Sequence, residues 1–134
     1  MPEYITVFIE PVTGSTVAQV AIIAVLLLIL LDVAFGCGNA LMQHTFSSEK
    51  MRAGMAHKAA ELGFILVGII CDACLLGGFD LGFAPVLMGI CLYLALMEVA
   101  SLLETFALMN PQLHDSPLFK LLESVEKGGA NVSD

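Results

Sequence analysis

Three long apolar stretches dominate the pattern of hydrophobic and polar positions along the chain. They cover residues 17–42, 62–79 and 84–104. Each approaches the ~20 residues that a helix needs to cross a bilayer at ~1.5 Å per residue. An open strand would leave backbone groups unpaired in lipid, so the pattern predicts three membrane-spanning helices.

The second of these helices is predicted to begin well before its apolar part. Ser48 is a favourable residue at a helix start, and Glu49 follows in the first turn, where the helix dipole favours a negative charge. Apolar residues then recur at helical spacing, which predicts one continuous helix over 48–76 with its first third in water. A tight turn over 79–83 should follow, and Pro85 suits the first turn of the third helix.

The first sixteen residues allow two interpretations. Apolar side chains at helical spacing would form one face of a short helix on the outer membrane surface: Ile5, Phe8, Ile9 and Val12. Pro11 and Gly14 interrupt this pattern, so a frayed extended segment is the other possibility. The N-terminus has no basic region of the kind that precedes a cleaved signal, and we expect the first span to be retained.

The composition excludes an ordinary soluble domain. Hydrophobic residues make up 58% of the 134 positions, charged residues make up 13%, and the mean hydropathy is +0.91. Soluble domains average about 45–50% apolar and about 25% charged residues. The chain is therefore expected to be an all-α protein whose surroundings are the lipid bilayer. Its net charge of −8 makes nucleic acid an unsuitable partner.

The basic residues predict the orientation of the spans. Lys50, Arg52 and Lys58 lie between the first and second spans, and Lys120 and Lys127 lie after the third. With three spans, both basic segments fall on the same side of the membrane. The excess of positive charge in cytoplasmic loops then places the N-terminus outside, and the loop and the tail over 110–134 inside.

Acidic residues inside the apolar stretches are the main candidates for function. Asp32 and Glu98 are at similar depth in the cytoplasmic half, Asp72 is near the middle of the second span, and Glu104 is near the cytoplasmic boundary. A charged Asp at a helix centre costs ~2.5–3.5 kcal/mol on insertion scales, so these side chains should avoid lipid. Together with Ser101 they form a candidate set with two open interpretations, which are interhelical hydrogen bonding and the lining of a pore.

Small residues predict close packing between helices. On the first span, two pairs of small residues are spaced four positions apart, Ala34 with Gly38 and Gly36 with Ala40. On the second span, Ala73 and Gly77 have the same spacing. Faces of this kind let membrane helices approach closely, and they favour a homo-oligomer.

No pattern of catalytic or metal-binding residues stands out. Cys71 and Cys74 have C-x-x-C spacing, but they lie inside a predicted span with no strand before them, so we interpret them as small apolar residues. The three histidines lie outside the spans, and none has a nucleophile in a fixed relation to it. We therefore expect no metal site, and a catalytic carboxylate pair is the weakest interpretation of the buried acids.

The order of several short motifs resembles a known family. An Asp32-x-x-x-Gly36 pattern closes the first span, and Ser47-Ser48 then precede Gly54 and Lys58. The third span carries Glu98-x-x-Ser101-x-x-Glu104. Over residues 31–105 this order is similar to the phage-lysis and toxin-secretion holin family. The sequence departs from it at Thr105, where the family usually has Asn, and its C-terminal end matches only loosely.

The resemblance implies a function. Holins accumulate in the bacterial cytoplasmic membrane as multi-pass proteins, oligomerise and then form lesions. An endolysin passes through these lesions to the cell wall, and related holins assist the release of large toxins. The resemblance implies no enzyme activity and no cofactor. Two other functions fit the same residues, which are a small oligomeric ion channel or proton-coupled transporter subunit, and an anti-holin that inhibits lysis.

Overall fold

The computed structural model describes residues 3–76, 84–117, 119–120 and 124 as a bundle of helices. The bounds are α1 Glu3–Thr13, α2 Thr16–Met42, α3 Ser48–Leu76, α4 Pro85–Met109 and a short 3-10 helix Pro111–Asp115. No strand occurs within these ranges, so the predicted all-α class is confirmed. The predicted turn over 79–83, Gly77 and most of the tail over 110–134 lie outside the described residues.

The N-terminal segment is helical, as the first of the two interpretations predicts. Helix α1 packs against α3 and, less extensively, against α2. Pro11 lies inside α1 and is buried. The chain then turns at Gly14, and the hydroxyl of Ser15 accepts a hydrogen bond from the backbone N–H of Ala18 at 3.3 Å, which caps the start of α2.

Helices α2 and α4 run in the same direction along the bundle. The hydroxyl of Ser101 on α4 donates to a carboxylate oxygen of Asp32 on α2 at 2.7 Å. Further along both helices, the rings of Phe35 and Phe106 meet edge to face with centroids 4.9 Å apart. Residue numbers therefore rise together at the two contacts, as they do in parallel helices.

Helix α3 runs antiparallel to α4. Phe64 on α3 faces Tyr93 on α4 with ring centroids 6.4 Å apart. Later on α3, Gly68 lies against the backbone of Leu87, which comes earlier on α4. Helix α4 packs along both α2 and α3, whereas α2 and α3 make few direct contacts with each other. The three long helices thus alternate in direction along the chain, and α4 lies between α2 and α3.

The outside of the bundle is largely apolar. Large hydrophobic side chains such as Leu27 and Leu30 on α2, and Leu92 and Leu96 on α4, are more than half exposed. An apolar surface of this extent marks contact with lipid or with other protein chains. Two of the described helices, α2 and α4, are long and apolar enough to cross a membrane.

Candidate functional site: an ion-pair cluster on three helices

One lysine and three carboxylates meet inside the bundle. They are Asp32 on α2, Lys58 and Glu61 on α3, and Glu98 on α4, and we call them the Lys58 cluster. Glu61 and Glu98 are buried, while Asp32 and Lys58 are buried except for small exposed fractions. The cluster is therefore an ionic contact that connects all three long helices.

Helical spacing explains how each side chain reaches the cluster. Lys58 and Glu61 are three residues apart on α3, and Glu98 and Ser101 are three residues apart on α4, so each pair shares a helix face. Asp32 lies about 24 Å along α2 and Glu98 about 20 Å along α4, at 1.5 Å per residue. Because α2 and α4 are parallel, the two acids are at similar depth, and antiparallel α3 brings Lys58 between them.

The contacts of Lys58 are short. Its ammonium lies 2.6 and 2.7 Å from the two carboxylate oxygens of Glu98. The same nitrogen lies 2.9 Å from Oδ2 of Asp32, while Ser101 donates to Oδ1 of that residue. Both oxygens of Asp32 and both oxygens of Glu98 therefore have partners within one chain.

The carboxylate of Glu61 has weaker contacts than those of Asp32 and Glu98. Its Oε1 lies 3.1 Å from Nε2 of His57, one turn earlier on α3, and the His57 side chain is largely exposed. Its Oε2 lies 3.4 Å from the Lys58 ammonium, is buried, and receives no hydrogen bond among the described residues. Glu61 is thus the weakest member of the Lys58 cluster.

The charge of the Lys58 cluster depends on the lysine. The single ammonium of Lys58 lies 2.9 Å from Asp32, 3.4 Å from Glu61 and 2.6 Å from Glu98. Three carboxylates thus surround one ammonium, and only Glu61 has a further contact, with His57. Removing one partner from a buried ion pair costs about 3–5 kcal/mol, because the remaining charge is left without compensation.

Asp72 lies apart from the Lys58 cluster and is fully buried at the other end of α3. Its two oxygens accept hydrogen bonds from the backbone N–H groups of Val86 at 3.1 Å and Leu87 at 2.7 Å. These groups belong to the first turn of α4, which has Pro85 at its start and no side-chain cap from Ala84. Asp72 therefore caps α4 from the neighbouring helix, a form of interhelical hydrogen bonding.

The small residues predicted to pack helices closely lie in different environments in the structure. Gly36 and Ala40 border an open cleft between α2 and α3, and a Cβ added at Gly36 or Gly38 would meet nothing within 4 Å. Ala34 is exposed, and Ala73 is buried within the bundle. The close contact between α3 and α4 is made instead by Gly68, where an added Cβ would lie 3.2 Å from Cα of Leu87 and 3.0 Å from Cδ1 of Ile90.

The remaining candidates lie outside the Lys58 cluster. Glu104, Lys50 and Arg52 are exposed. All four cysteines are free thiols, of which Cys91 is buried in the core and Cys71 and Cys74 are exposed. Within the described ranges, no group of three or more His, Cys, Asp or Glu residues could hold a metal ion.

The role of Lys58 is the main feature that the sequence analysis missed. The sequence pattern presents Lys58 only as a basic residue of the loop that predicts the orientation of the spans. One signal was available, because Lys58 lies one helical turn before the apolar stretch that starts at residue 62, close to the expected depth of Asp32 and Glu98. No signal identified Gly68, since isolated glycines are frequent in membrane helices.

Comparison with known proteins gives one match. A family model described as the bacteriophage holin family matches residues 5–126, which is most of the chain. No curated protein and no solved structure matches the chain.

Proposed function

This chain belongs to the bacteriophage holin family, and from that premise we propose that it acts as a holin. In this proposal it oligomerises in the bacterial cytoplasmic membrane and forms lesions that release an endolysin, or a large toxin, from the cytoplasm. Helices α2, α3 and α4 cross the membrane, with the N-terminus outside and the C-terminus inside. The holin family is not enzymatic, and we assign the chain no catalytic role.

The alternating helix directions support three spans. Parallel α2 and α4 with antiparallel α3 is the arrangement that three successive crossings produce. The apolar part of α3 begins at Leu62, and the polar part before it carries Lys50, Arg52 and Lys58. Placing Lys50 and Arg52 in the cytoplasm agrees with the distribution of positive charge in membrane proteins, while Lys58 reaches from this end of α3 into the bundle.

The observation that carries the proposal is the Lys58 cluster inside a bundle whose outside is apolar. Asp32 and Glu98 are partnered within one chain, so a single copy can remain in lipid without exposing either of these two carboxylates. If α3 moves away from α2 and α4, the same side chains lose Lys58 and require water or new partners. The Lys58 cluster thus suits a closed form that converts into a wet lesion.

An oligomer needs a face that the single chain leaves open. Ala34 and Gly38 repeat at four-residue spacing on α2, and Gly38 has space around it. Small residues at this spacing let a second helix approach closely, which is a common basis of association in membranes. We assign this face to contact with a second copy.

Induced expression in bacteria with and without an endolysin tests the proposed function. A holin should collapse the membrane potential, release a large cytoplasmic reporter enzyme, and cause rapid loss of culture density only when the endolysin is present. Saturable passage of one small solute with viable cells would instead identify a transporter or channel. No lysis, together with delayed lysis by another holin, would identify an anti-holin.

A further inference from the structure

A cleft of about 370 Å³ separates the C-terminal part of α2 from the N-terminal part of α3. It exists because α4 holds the two helices, while they make few contacts with each other. Asp32 and Lys58 of the Lys58 cluster form one end of the cleft, and the loop residues Thr45 and Ser47 form the other. The cleft therefore leads from the loop to the buried ion pairs.

The walls of the cleft are smooth and apolar. Gly36 and Ala40 line it on α2, and Met51, Gly54 and Met55 line it on α3. A Cβ added at Gly36 or Gly54 would meet nothing within 4 Å, so neither glycine is explained by packing within the chain. Methionine side chains adapt to irregular apolar partners. These walls suit a flexible hydrocarbon chain.

The loop end of the cleft has the opposite character. Lys50 lines it together with the hydroxyl-bearing residues Thr45 and Ser47. This end is also the start of α3, where the helix dipole favours a negative charge. Glu49 is in the same turn, but it is not among the lining residues. The lining side chains thus offer a cation and hydroxyl donors to an anion.

We propose that the cleft binds one anionic phospholipid. Its acyl chain lies between Gly36 and Gly54, and its phosphate contacts Lys50 and Ser47. Basic pockets between membrane helices on the cytoplasmic side bind acidic lipid head groups in this way. The assignment to the inner leaflet rests on the proposed orientation, whereas binding itself does not.

Lipid retention by the purified full-length chain tests this proposal. The chain is extracted in a mild detergent, placed in nanodiscs of phosphatidylcholine with increasing phosphatidylglycerol, and re-extracted, and bound lipid is counted by native mass spectrometry. The wild-type chain should retain about one phosphatidylglycerol per copy in preference to phosphatidylcholine. Equal retention of both lipids would overturn the proposal.

Matched variants locate the lipid. Gly54→Leu fills the cleft, whereas Gly63→Leu places the same side chain at another open position on α3. Lys50→Gln removes the cation at the loop end, whereas Arg52→Gln removes an exposed one that does not line the cleft. Gly54→Leu should abolish the preference, and Lys50→Gln should weaken it about fivefold. Neither control should change it.

Two further outcomes would overturn the proposal. If all four variants retain phosphatidylglycerol equally, the lipid lies elsewhere. If Gly54→Leu leaves retention unchanged but reduces cross-linking between copies, a second copy covers the cleft. Because the readout is lipid bound to purified protein, a negative result is distinguishable from failure of the chain to cause lysis.

Discussion

Lys58 and Glu98 lie 40 positions apart in the chain, yet the lysine ammonium contacts both oxygens of the carboxylate, at 2.6 and 2.7 Å. This contact joins the polar part of α3 to the middle of α4. Asp32 adds the third helix through the same nitrogen at 2.9 Å. Lys58, which the sequence places in a loop near water, is thus the centre of the buried polar contacts.

Replacing Lys58 tests the importance of this centre. Lys58→Met leaves three acidic side chains without their cation, and should lower the free energy of unfolding in detergent micelles by about 3–5 kcal/mol. It should also change the onset of lysis after induction. Arg52→Met is the matched control, because it removes a positive charge from an exposed position of the same helix that does not line the cleft. Equal stability of the two variants would contradict a central role for Lys58.

The effect of Glu98→Leu should change sign with the residue at position 58. In the wild-type background it removes a partner of Lys58 and should lower unfolding stability by about 1–3 kcal/mol, since Asp32 still pairs with the lysine. In the Lys58→Met background it removes an unpaired buried carboxylate and should raise stability. A double-mutant cycle measured by chemical unfolding checks this.

Two comparison variants complete the test of Glu98. Glu98→Gln keeps a hydrogen-bond acceptor for Lys58 and should fall between the wild type and Glu98→Leu. Glu104→Leu changes an exposed acid on the same helix and should have little effect on stability. If Glu98→Leu also assembles and lyses cells on the normal schedule, the carboxylate has no role in lesion formation.

Asp72 should contribute to stability as a helix cap. Asp72→Ala removes both acceptors from the first turn of α4 and should lower the free energy of unfolding by about 0.5–2 kcal/mol. Asp72→Asn keeps one acceptor and should lower it less. Cys71→Ala, at the exposed neighbouring position, is the control. If Asp72→Ala unfolds like the wild type, water or another group replaces the cap.

A side chain at Gly68 should push α3 and α4 apart, because an added Cβ would lie 3.0 Å from Cδ1 of Ile90 and 3.2 Å from Cα of Leu87. Gly68→Val would press against the backbone of Leu87 and the side chain of Ile90, and should cost about 1–3 kcal/mol through separation of α3 and α4. Gly63→Val places the same side chain on the same helix with open space around it. Thermal unfolding of both variants in detergent compares the two sites, and a similar loss at each would assign the effect to helix propensity alone.

Cysteine labelling tests the orientation. In a variant with the four native cysteines replaced, Arg52→Cys should react with a membrane-impermeant thiol reagent in inverted vesicles but not in intact spheroplasts. Tyr4→Cys, at a well-exposed position on α1, should show the opposite pattern. Labelling of position 52 from outside intact cells would reverse the proposed topology.

Much of the helical framework follows from sequence periodicity. The predicted bounds of α3 agree with Ser48–Leu76, and Pro85 begins α4 as predicted. These features depend on the helix preferences of individual residues and on the length of each apolar stretch. Both can be read directly from the sequence. The sequence leaves two interpretations of the first residues open, because Pro11 interrupts the helical pattern of apolar positions. The packing of α1 against α3 explains why this segment is helical.

The partners inside the bundle could not be read from the sequence in the same way. Helical spacing places Glu98 and Ser101 on one face of α4, but the identity of the facing residue depends on how α2 and α3 are arranged around it. Asp72 illustrates this limit, because its position inside an apolar stretch groups it with Asp32, whereas the structure directs it to the start of α4. Contacts between distant segments depend on helix packing, which periodicity does not specify.

The central position of α4 has a consequence for biosynthesis. Asp32 leaves the ribosome 26 residues before Lys58 and 69 residues before Ser101. Apart from the ion pair between Asp32 and Lys58, α2 and α3 make few contacts with each other, so little holds these two helices together until α4 is synthesised. Insertion of the nascent chain must therefore carry an acidic side chain into the bilayer before its partners exist, and assembly of the bundle is completed only after translation of α4.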